Sequence, residues 1–388
     1  MSTTTPSAPP AQPGLLRSLN NRTVLRLLIE RGTLSRGDVR DLTGLSKPTA
    51  SQLLMRLEDA GLVESAGFGE TGPGGRAPQL YRIVSSAGHA AAIDARPGAM
   101  HVRIADITGR VVGTAMTTPI GDAVTDTISA LDAACRVAGI TRANLDAVVI
   151  GAPGSFDAAV DRLHYAEHLR GWQSDGITAA IGEHLPGAVV AIENDVNLVA
   201  VAEQHAAGGS ADDFFLLWLD ERVGGALVIG GTTYRGHRGA AGEAAFLLPS
   251  GITPDEHTRA DGGFERLVGE TAVTALATSA PSAPSAAPSA AEAMAIVASD
   301  PSLLAQLASR YAVGIASVIA LLDPARIVLA GELTVVGGER LRAAIATELD
   351  ELVIAAPPVQ LSADPGTPIL DGGLIMSLDH ARASVFST

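Results

Sequence analysis

Two neighbouring polar residues, Asn194 and Asp195, stand between a short run rich in valine and isoleucine and an apolar stretch with helical spacing. Residues 188–203 therefore predict a strand, a turn and a helix, with both side chains at the carboxyl end of the strand. In α/β proteins ligands bind in the crevice outside the strand ends. An aspartate there can accept hydrogen bonds from a polyol and take a proton from a hydroxyl group. The alternative is a helix cap, because asparagine and aspartate are common N-cap residues.

The composition is that of a folded chain with more than one domain. Its 388 residues are 47% hydrophobic, which is too apolar for a disordered chain. Residues 1–14 are polar and proline-rich and lack the basic and apolar regions of a signal peptide, so we expect a disordered leader. We predict no apolar run long enough to span a bilayer. The single cysteine, Cys135, excludes an internal disulfide and a multi-cysteine zinc cage, and a cytoplasmic location is the simplest interpretation.

Charge is unevenly distributed along the chain. The formal net charge is −15, yet residues 15–85 hold ten basic and seven acidic side chains, a balance of +3 that leaves −18 for the remainder. A basic head on an acidic body would direct one face towards DNA and keep the rest of the protein away from it. We therefore predict a DNA-binding domain over residues 15–85 and a larger body over residues 86–388.

The basic segment begins with the local signals of a helix-turn-helix. Asn21 can cap a first amphipathic helix that ends at Gly32. Ser35 can cap a second, short helix whose core residues would be Val39 and Leu42. A tight turn and a further helix then complete the pattern of a helix-turn-helix reader of DNA.

That further helix is predicted to contact DNA. It follows a turn at Gly44, is capped by Ser46 and carries Pro48 in its first turn, where proline is tolerated. Two short strands, residues 62–64 and 79–84, then enclose a glycine-rich wing whose arginine can enter the minor groove or meet a phosphate. A helical module that binds protein instead of DNA is the alternative. The predicted DNA-binding residues are Arg36, Ser46, Lys47, Pro48, Thr49, Ser51, Gln52, Arg56, Gly75 and Arg76.

The head resembles the winged helix-turn-helix of ROK-family transcriptional regulators (repressor, open reading frame, kinase). The matching motifs are Asn21-Arg22, Leu34-Ser35-Arg36, Thr43-Gly44-Leu45-Ser46-Lys47-Pro48-Thr49, Ala60-Gly61-Leu62-Val63 and Gly75-Arg76. The resemblance implies an α/β protein in which this domain precedes a two-lobed, actin-like body of the ribonuclease H-like class. Lobe one would cover about residues 86–200 together with a C-terminal helix at about 372–388, and lobe two about residues 201–371.

The motif Glu193-Asn194-Asp195-Val196-Asn197 resembles the sugar site of the same family. In ROK kinases its aspartate deprotonates a sugar hydroxyl and the asparagine beside it hydrogen-bonds the sugar, so the resemblance implies that Asp195 and Asn194 bind a sugar here. Two glutamates farther on match other sugar-binding positions. Phe246 replaces a histidine that binds sugar and, in many members, zinc, so we expect no metal. The predicted effector-binding residues are Asn194, Asp195, Glu243 and Glu265.

Both phosphate loops of the family's kinases are replaced in this chain. The first loop should follow Asp94, but Ala95-Arg96-Pro97 stands there, and proline has no N–H group to donate to a phosphate. The second loop reads Gly-Thr-Gly in the kinases and Asp220-Glu221-Arg222 here, so two carboxylates would repel a triphosphate. We therefore predict no catalytic residue and no cofactor.

The sequence as a whole predicts a DNA-binding transcriptional regulator, most simply a repressor of genes for sugar uptake or metabolism. Its partners would be double-stranded operator DNA with an inverted repeat, a sugar or sugar-phosphate effector, and further copies in a homodimer or homotetramer, with no membrane. One alternative is an active ATP-dependent sugar kinase with a DNA-binding head. The other is a DNA-binding repressor that responds to no ligand.

Overall fold

The computed structural model describes residues 13–70, 77–166, 169–209, 211–249, 255–280, 286–364 and 366–387, with side chains from residue 17 onwards. The predicted leader lies outside these residues as far as residue 12. The head sheet has the order β1-β3-β2, and both pairs are antiparallel. In chain order the head elements are α1 (Pro13–Arg31), β1 (Leu34–Ser35), α2 (Arg36–Thr43), α3 (Lys47–Asp59), β2 (Val63–Phe68) and β3 (Gln79–Ile83).

Side-chain caps fix where α2 and α3 begin. The Ser35 hydroxyl accepts a hydrogen bond from Asp38 N, and the Asp38 carboxylate accepts one from Ser35 N, so a capping box starts α2. Gly44 ends α2 in the left-handed conformation, with a φ of 71°. The Ser46 hydroxyl accepts a hydrogen bond from Thr49 N at the start of α3. The capping residues predicted for α2 and α3 are therefore confirmed.

Two predictions for the head are wrong. Helix α1 begins at Pro13, inside the predicted leader, because the fixed φ of proline suits the first turn of a helix. Asn21 consequently lies within the helix, where it is buried and accepts a hydrogen bond from Arg56. Leu42 is 46% exposed instead of lying in the core. Helix α2 is short, and Val39 is its buried residue.

Lobe one is built on a sheet with the strand order β10-β7-β4-β5-β6. Strands β10, β7 and β4 run parallel, so their carboxyl ends meet at one edge, where Asp94 pairs with Gly151 and Asn194 with Ala152. The elements are β4 (His89–Arg96), β5 (Ala99–Asp106), β6 (Val111–Thr117), α4 (Ala123–Ala138), β7 (Leu145–Ala152), β8 (Ser155–Asp157), β9 (Arg162–His164), α5 (Ile177–Gly182), β10 (Val189–Asn194) and α6 (Asp195–Ala206).

Lobe two is built on a second sheet, with the order β13-β12-β11-β14-β15. After it, α13 (Pro368–Val385) returns to lobe one and packs on β4, β7 and α6. The α/β architecture predicted for the body is thus confirmed. The lobe-two elements are β11 (Phe214–Leu219), β12 (Val223–Ile229), β13 (Thr232–Thr233), α7 (Glu256–Asp261), α8 (Gly263–Val268), α9 (Glu270–Thr278), α10 (Ala290–Ser299), α11 (Pro301–Leu322), β14 (Arg326–Ala330), α12 (Glu332–Leu352) and β15 (Val359–Leu361).

Helices α6 and α13 connect the parts of the molecule. Val196 and Leu198 of α6 belong to an apolar cluster that also contains residues of β11, β12 and β14, so α6 lies between the lobes. Helix α13 packs on α6, and its Leu374 and Leu378 share a second cluster with the apolar residues of the head. Arg22 of α1 donates a hydrogen bond of 2.5 Å to the hydroxyl of Ser387, just beyond α13. The head is therefore packed onto the body through α13.

The prediction that no apolar run could span a bilayer is wrong for α11. Within the described ranges this is the one helix that is long and apolar enough to do so by length and composition. Half of its most apolar window is buried inside the fold, and Leu307, Tyr311 and Ile315 belong to the hydrophobic core of lobe two. Packing within lobe two therefore accounts for much of its apolar character.

Candidate functional site

Asn194 and Asp195 lie at the carboxyl end of β10, where the sequence places them, but they have different roles in the fold. Asn194 is the N-cap of α6, because its Oδ1 accepts a hydrogen bond from Asn197 N at 3.0 Å. Its Nδ2 donates to the carbonyl of Gly154 at 2.9 Å. The helix-cap alternative therefore describes Asn194. Both ends of its amide are engaged within the chain, and it fixes the loop after β7 against the start of α6.

Asp195 is a titratable group that interacts with carboxyls from both lobes. Its Oδ1 accepts a hydrogen bond from Val196 N at 2.8 Å. The pKa of Asp195 is raised to about 7, because burial and the nearby carboxyls of Asp94 and Glu243 outweigh the opposing effects of the hydrogen bond from Val196 N and of Arg96. A carboxyl with such a pKa exchanges its proton near neutral pH and can both accept and donate hydrogen bonds to a polyol.

Glu193 belongs to the same motif, but no role was predicted for it from the sequence. It is 5% exposed, and its Oε2 accepts a hydrogen bond from Arg235 Nε at 2.6 Å. Its Oε1 accepts from Asn197 Nδ2 at 2.8 Å and from the backbone N of Asn194. Glu193 thereby joins lobe one to the loop after β13 in lobe two. The sequence signal is a glutamate that directly follows a run of apolar strand residues.

The first phosphate-loop position holds a tight hairpin. Strands β4 and β5 remain paired as far as Arg96 and Ala99, which leaves Pro97 and Gly98 as the turn. Gly98 has a φ of 86°, as the third residue of a type II turn requires. The ladder and the proline therefore remove the backbone donors that a phosphate would need. The exposed side chain of Arg96 donates instead from its Nε to Asp94 Oδ2 at 2.8 Å.

The second phosphate-loop position also carries charge instead of an N–H cradle. Asp220 follows β11 and accepts a hydrogen bond from Glu221 N at 3.0 Å. Burial raises the pKa of Asp220; Arg96 lowers it, and Glu332 raises it. Arg96 thus acts on carboxyls of both lobes, since it also lowers the pKa of Asp195. This arrangement places negative side chains where a nucleotide triphosphate would have to bind.

The other two predicted effector residues lie in lobe two. Burial raises the pKa of both Glu243 and Glu265, and Arg222 lowers both. Glu243 is within electrostatic range of Asp195. Glu265 instead accepts a hydrogen bond from Val223 N at 2.7 Å. The structure therefore brings Asn194, Asp195 and Glu243 together, while Glu265 is tied to the start of β12.

An aromatic pair stands at the edge of this polar group. Phe246 lies one turn beyond Glu243, and its N donates to the carbonyl of Glu243 at 3.1 Å. Its ring is 5.7 Å, centroid to centroid, from the ring of Tyr165, which follows β9 in lobe one. Sequence reasoning singled out Phe246 but not Tyr165, because nothing local to Tyr165 marks it.

The predicted DNA-binding residues divide into exposed and engaged side chains. Lys47, Pro48, Thr49 and Gln52 are exposed on the first half of α3, and Ser51 is half-buried. Ser46 caps α3, as described above. Arg56 donates to Asn21, and Arg36 donates to the hydroxyl of Tyr81 at 2.5 Å, so both are held within the head. Gly75 and Arg76 lie outside the described residues.

The residues around the cleft do not suit the zinc site implied by the family. The one cysteine of the sequence, Cys135, is buried in lobe one. Across the ranges that the structure describes, no group of three or more His, Cys, Asp or Glu side chains is placed to hold a metal ion. The position of the family's histidine is filled by the apolar ring of Phe246.

The fold and the cleft together define a class of protein: a winged helix-turn-helix head joined to a two-lobed α/β body with a polar cleft at its strand ends. The model of the ROK family matches residues 107–365, and the chain belongs to this family. The model of the MarR family matches residues 18–72, within the head.

Known proteins similar to this chain include a regulator and a kinase. A putative xylose repressor of Caldicellulosiruptor sp. (strain Rt8B.4) is 27% identical over 240 residues, 60% of this chain and 59% of that relative, so the match spans less than two thirds of the relative's length. The crystal structure of a ROK family transcriptional regulator, a homologue of the E. coli MLC protein, has a TM-score of 0.74 at 17% identity, covering 96% of this chain and 98% of that one. The crystal structure of the ROK hexokinase from Thermus thermophilus has a TM-score of 0.61 at 25% identity, and the match covers 74% of this chain and 97% of the hexokinase.

Proposed function

We propose that this protein is a DNA-binding transcriptional repressor whose affinity for its operator is set by a sugar bound between the lobes. One observation carries the proposal. The body keeps Asp195 and Glu243 together in its cleft, yet Pro97 and Asp220 occupy the two positions where a ROK kinase would cradle phosphate. A cleft of this kind can bind a polyol. It does not support phosphoryl transfer, because that reaction depends on positioning the phosphates.

The head supports binding to double-stranded DNA. The exposed residues at the start of α3, Lys47, Thr49 and Gln52, have the placement of the base- and phosphate-contacting residues of a recognition helix. The positive charge of residues 15–85 favours a polyanionic partner. A homodimer or homotetramer would present two such heads to an inverted-repeat operator.

The effector is proposed to be a sugar of the aldose class or its phosphate. Asp195 and Glu243 supply carboxyl oxygens for hydroxyl groups, and the name of the putative xylose repressor from Caldicellulosiruptor sp. supports an aldose as the ligand. Coupling to the head would pass through α6, which begins at Asp195 and ends beside α13. Ala202 and His205, near the far end of α6, line a cavity of about 990 Å³ together with Arg26 of α1. A sugar changes DNA affinity only if it binds the two arrangements of the lobes with different affinity.

The proposal is tested by fluorescence anisotropy on the DNA upstream of the protein's own gene. Protein is titrated at fixed salt, because salt sets the affinity, and D-xylose, D-glucose and their phosphates are then added without ATP. We expect specific binding that at least one sugar shifts. Operator binding that no aldose, amino sugar or sugar phosphate alters would support the ligand-independent repressor instead.

The kinase alternative has its own assay. The intact chain is incubated with ATP, magnesium and each sugar, and ADP release is followed. The side chains of Asp220 and Glu221 predict turnover no faster than the background hydrolysis of ATP. Sustained, sugar-dependent ADP release would overturn the assignment as a regulator without enzymatic activity.

Lys47→Gln is expected to weaken DNA binding by a similar factor on operator and non-operator sequences. Lys47 is exposed at the first residue of α3, where an ammonium group can neutralise a phosphate. Loss of one phosphate contact reduces the slope of log K against log salt by about 1. Arg136→Gln, at an exposed position on α4 of the body, is the matched control and should leave that slope unchanged. Equal slopes for Lys47→Gln and the unmodified protein would place α3 away from the DNA backbone.

A further inference from the structure

Tyr165 and Phe246 are contributed by different lobes and meet beside the cleft. Their ring centroids are 5.7 Å apart and the ring planes are inclined at 48°. The tilt leaves part of each ring uncovered by the other, and Tyr165 as a whole is 55% exposed. A large aromatic side chain that is both exposed and anchored in this way provides a surface for a ligand with an apolar face.

The backbone at Tyr165 is held in a conformation that tyrosine rarely adopts. Its φ is 59°, in the left-handed region, which is unfavourable for a residue other than glycine. The backbone on either side of Tyr165 is packed against Gly154, because a Cβ there would lie 2.4 Å from the carbonyl oxygen of His164 and 3.3 Å from Ala166 Cβ. Strain of this kind is common at ligand sites, where the surrounding structure holds a side chain in a particular direction.

The aromatic pair is connected to the polar residues on both sides of the cleft. In lobe one, the chain beside Tyr165 packs on Gly154, whose carbonyl accepts the hydrogen bond from Asn194. In lobe two, the backbone N of Phe246 donates to the carbonyl of Glu243. The backbone therefore links each ring to a polar residue of its own lobe, and a pyranose likewise has two surfaces, an apolar C–H face and a rim of hydroxyl groups.

The charge of the cleft selects among sugars. The carboxyls of Asp94 and Glu243 act on Asp195, and Arg96 is the basic group that acts on the same carboxyl. Arg96 is already paired with Asp94. The region holds more acidic than basic side chains, so a phosphate group would meet repulsion there, whereas an uncharged sugar would not.

We propose that Tyr165 and Phe246 form an aromatic platform on which the C–H face of an uncharged pyranose rests, with Asp195 and Glu243 binding its hydroxyl groups. This inference rests on the proposed sugar effector and narrows it to unphosphorylated aldoses. Because the platform draws one ring from each lobe, a sugar that covers both rings also holds the lobes together.

Isothermal titration calorimetry on the full chain tests the platform, with D-xylose, D-glucose and glucose 6-phosphate as probes. We expect Tyr165→Ala and Phe246→Ala each to weaken binding of the better aldose about tenfold, which corresponds to about 1.4 kcal/mol. Tyr165→Phe keeps the ring, so its aldose affinity should stay within about twofold of that of the unmodified protein. If the hydroxyl group of Tyr165 were what mattered, Tyr165→Phe would lose affinity as Tyr165→Ala does. Glucose 6-phosphate should bind at least tenfold more weakly than glucose.

Tyr234→Ala is the matched control. Tyr234 is 51% exposed beyond the β12–β13 hairpin, so its loss removes a similar ring from lobe two without touching Phe246, and it should leave the affinity unchanged. Thermal unfolding verifies that each variant is folded. Unchanged aldose affinity in folded Tyr165→Ala and Phe246→Ala would overturn the platform while leaving a sugar-gated repressor intact. An unmodified protein that binds no aldose at all would overturn the proposed effector and the platform together, and tighter binding of glucose 6-phosphate would overturn the restriction to uncharged sugars.

Discussion

Asp195→Asn is expected to stabilise the protein above neutral pH and to abolish its response to sugar. Burial raises the pKa of Asp195 to about 7, so above that pH the folded state must hold a poorly solvated carboxylate. Asparagine fills the same space and its Oδ1 can still accept the hydrogen bond from Val196 N. The variant removes the charge and with it about 2–4 kcal/mol of destabilisation at pH 8. Loss of the carboxylate also removes an acceptor for sugar hydroxyls.

The difference between the folded and unfolded pKa of Asp195 determines how its contribution to stability changes with pH. The folded pKa lies above that of an unfolded aspartate, which is about 3.9, so between those two values the folded protein binds more protons than the unfolded chain. The contribution of Asp195 to stability therefore falls as pH rises from about 4 to about 7 and is constant beyond that window. The two proteins should have similar unfolding free energies at pH 4 and diverge towards pH 8, as measured by urea denaturation.

A urea-denaturation series from pH 4 to pH 8 distinguishes a poorly solvated Asp195 carboxylate from a solvated one. A constant difference for Asp195→Asn across the series would mean that its carboxylate is well solvated in the folded protein. In that case a polyol would gain little from it.

Local signals in the sequence were enough to place the head and the cleft. Ser35 and Ser46 cap helices through contacts three residues away, so their roles are legible in a short window. The start of α1 was misplaced because Asn21 is a good capping residue, whereas its actual partner, Arg56, lies thirty-five positions farther on. The strand-turn-helix at Asp195 was predicted correctly, since its pattern is equally local.

Long-range contacts account for what the sequence did not reveal. Glu193 acts through Arg235, which is forty-two residues away and in the other lobe. Tyr165 is a candidate ligand-binding residue for two reasons: its backbone adopts a conformation that tyrosine does not favour, and its ring contacts that of Phe246 in the other lobe. Whether Asn194 caps a helix or binds a ligand could not be decided from its residue type, because one amide can do either. The carbonyl of Gly154, brought in by another strand, engages the second end of that amide.

Gly372→Ala is expected to destabilise the protein and to weaken the coupling between sugar and DNA. Gly372 lies in α13 against the backbone of α6, and an added Cβ would stand 1.8 Å from the carbonyl oxygen of Leu198. Alanine improves helix propensity by about 1 kcal/mol. Overpacking a core costs about 1–3 kcal/mol, or more where backbone must move. The overlap is with backbone and is deep, so the steric cost should exceed the gain, and urea denaturation should show a net loss of about 1–3 kcal/mol.

The adjacent Gly373 offers a matched control for the effect on signalling. A Cβ there would lie 3.1 Å from Ala92 Cβ, so Gly373→Ala asks only for a small adjustment, and the improved helix propensity should offset it to within about 1 kcal/mol. Both variants add one methyl group to the same turn of α13, but only Gly372→Ala separates α13 from α6. In the anisotropy assay, with each variant at a temperature where it is fully folded, Gly373→Ala should keep the sugar-induced change in DNA affinity and Gly372→Ala should reduce it. Equal responses would show that the sugar signal reaches α1 without passing from α6 to α13, and the interlobe route through Glu193 and Arg235 would then become the stronger explanation.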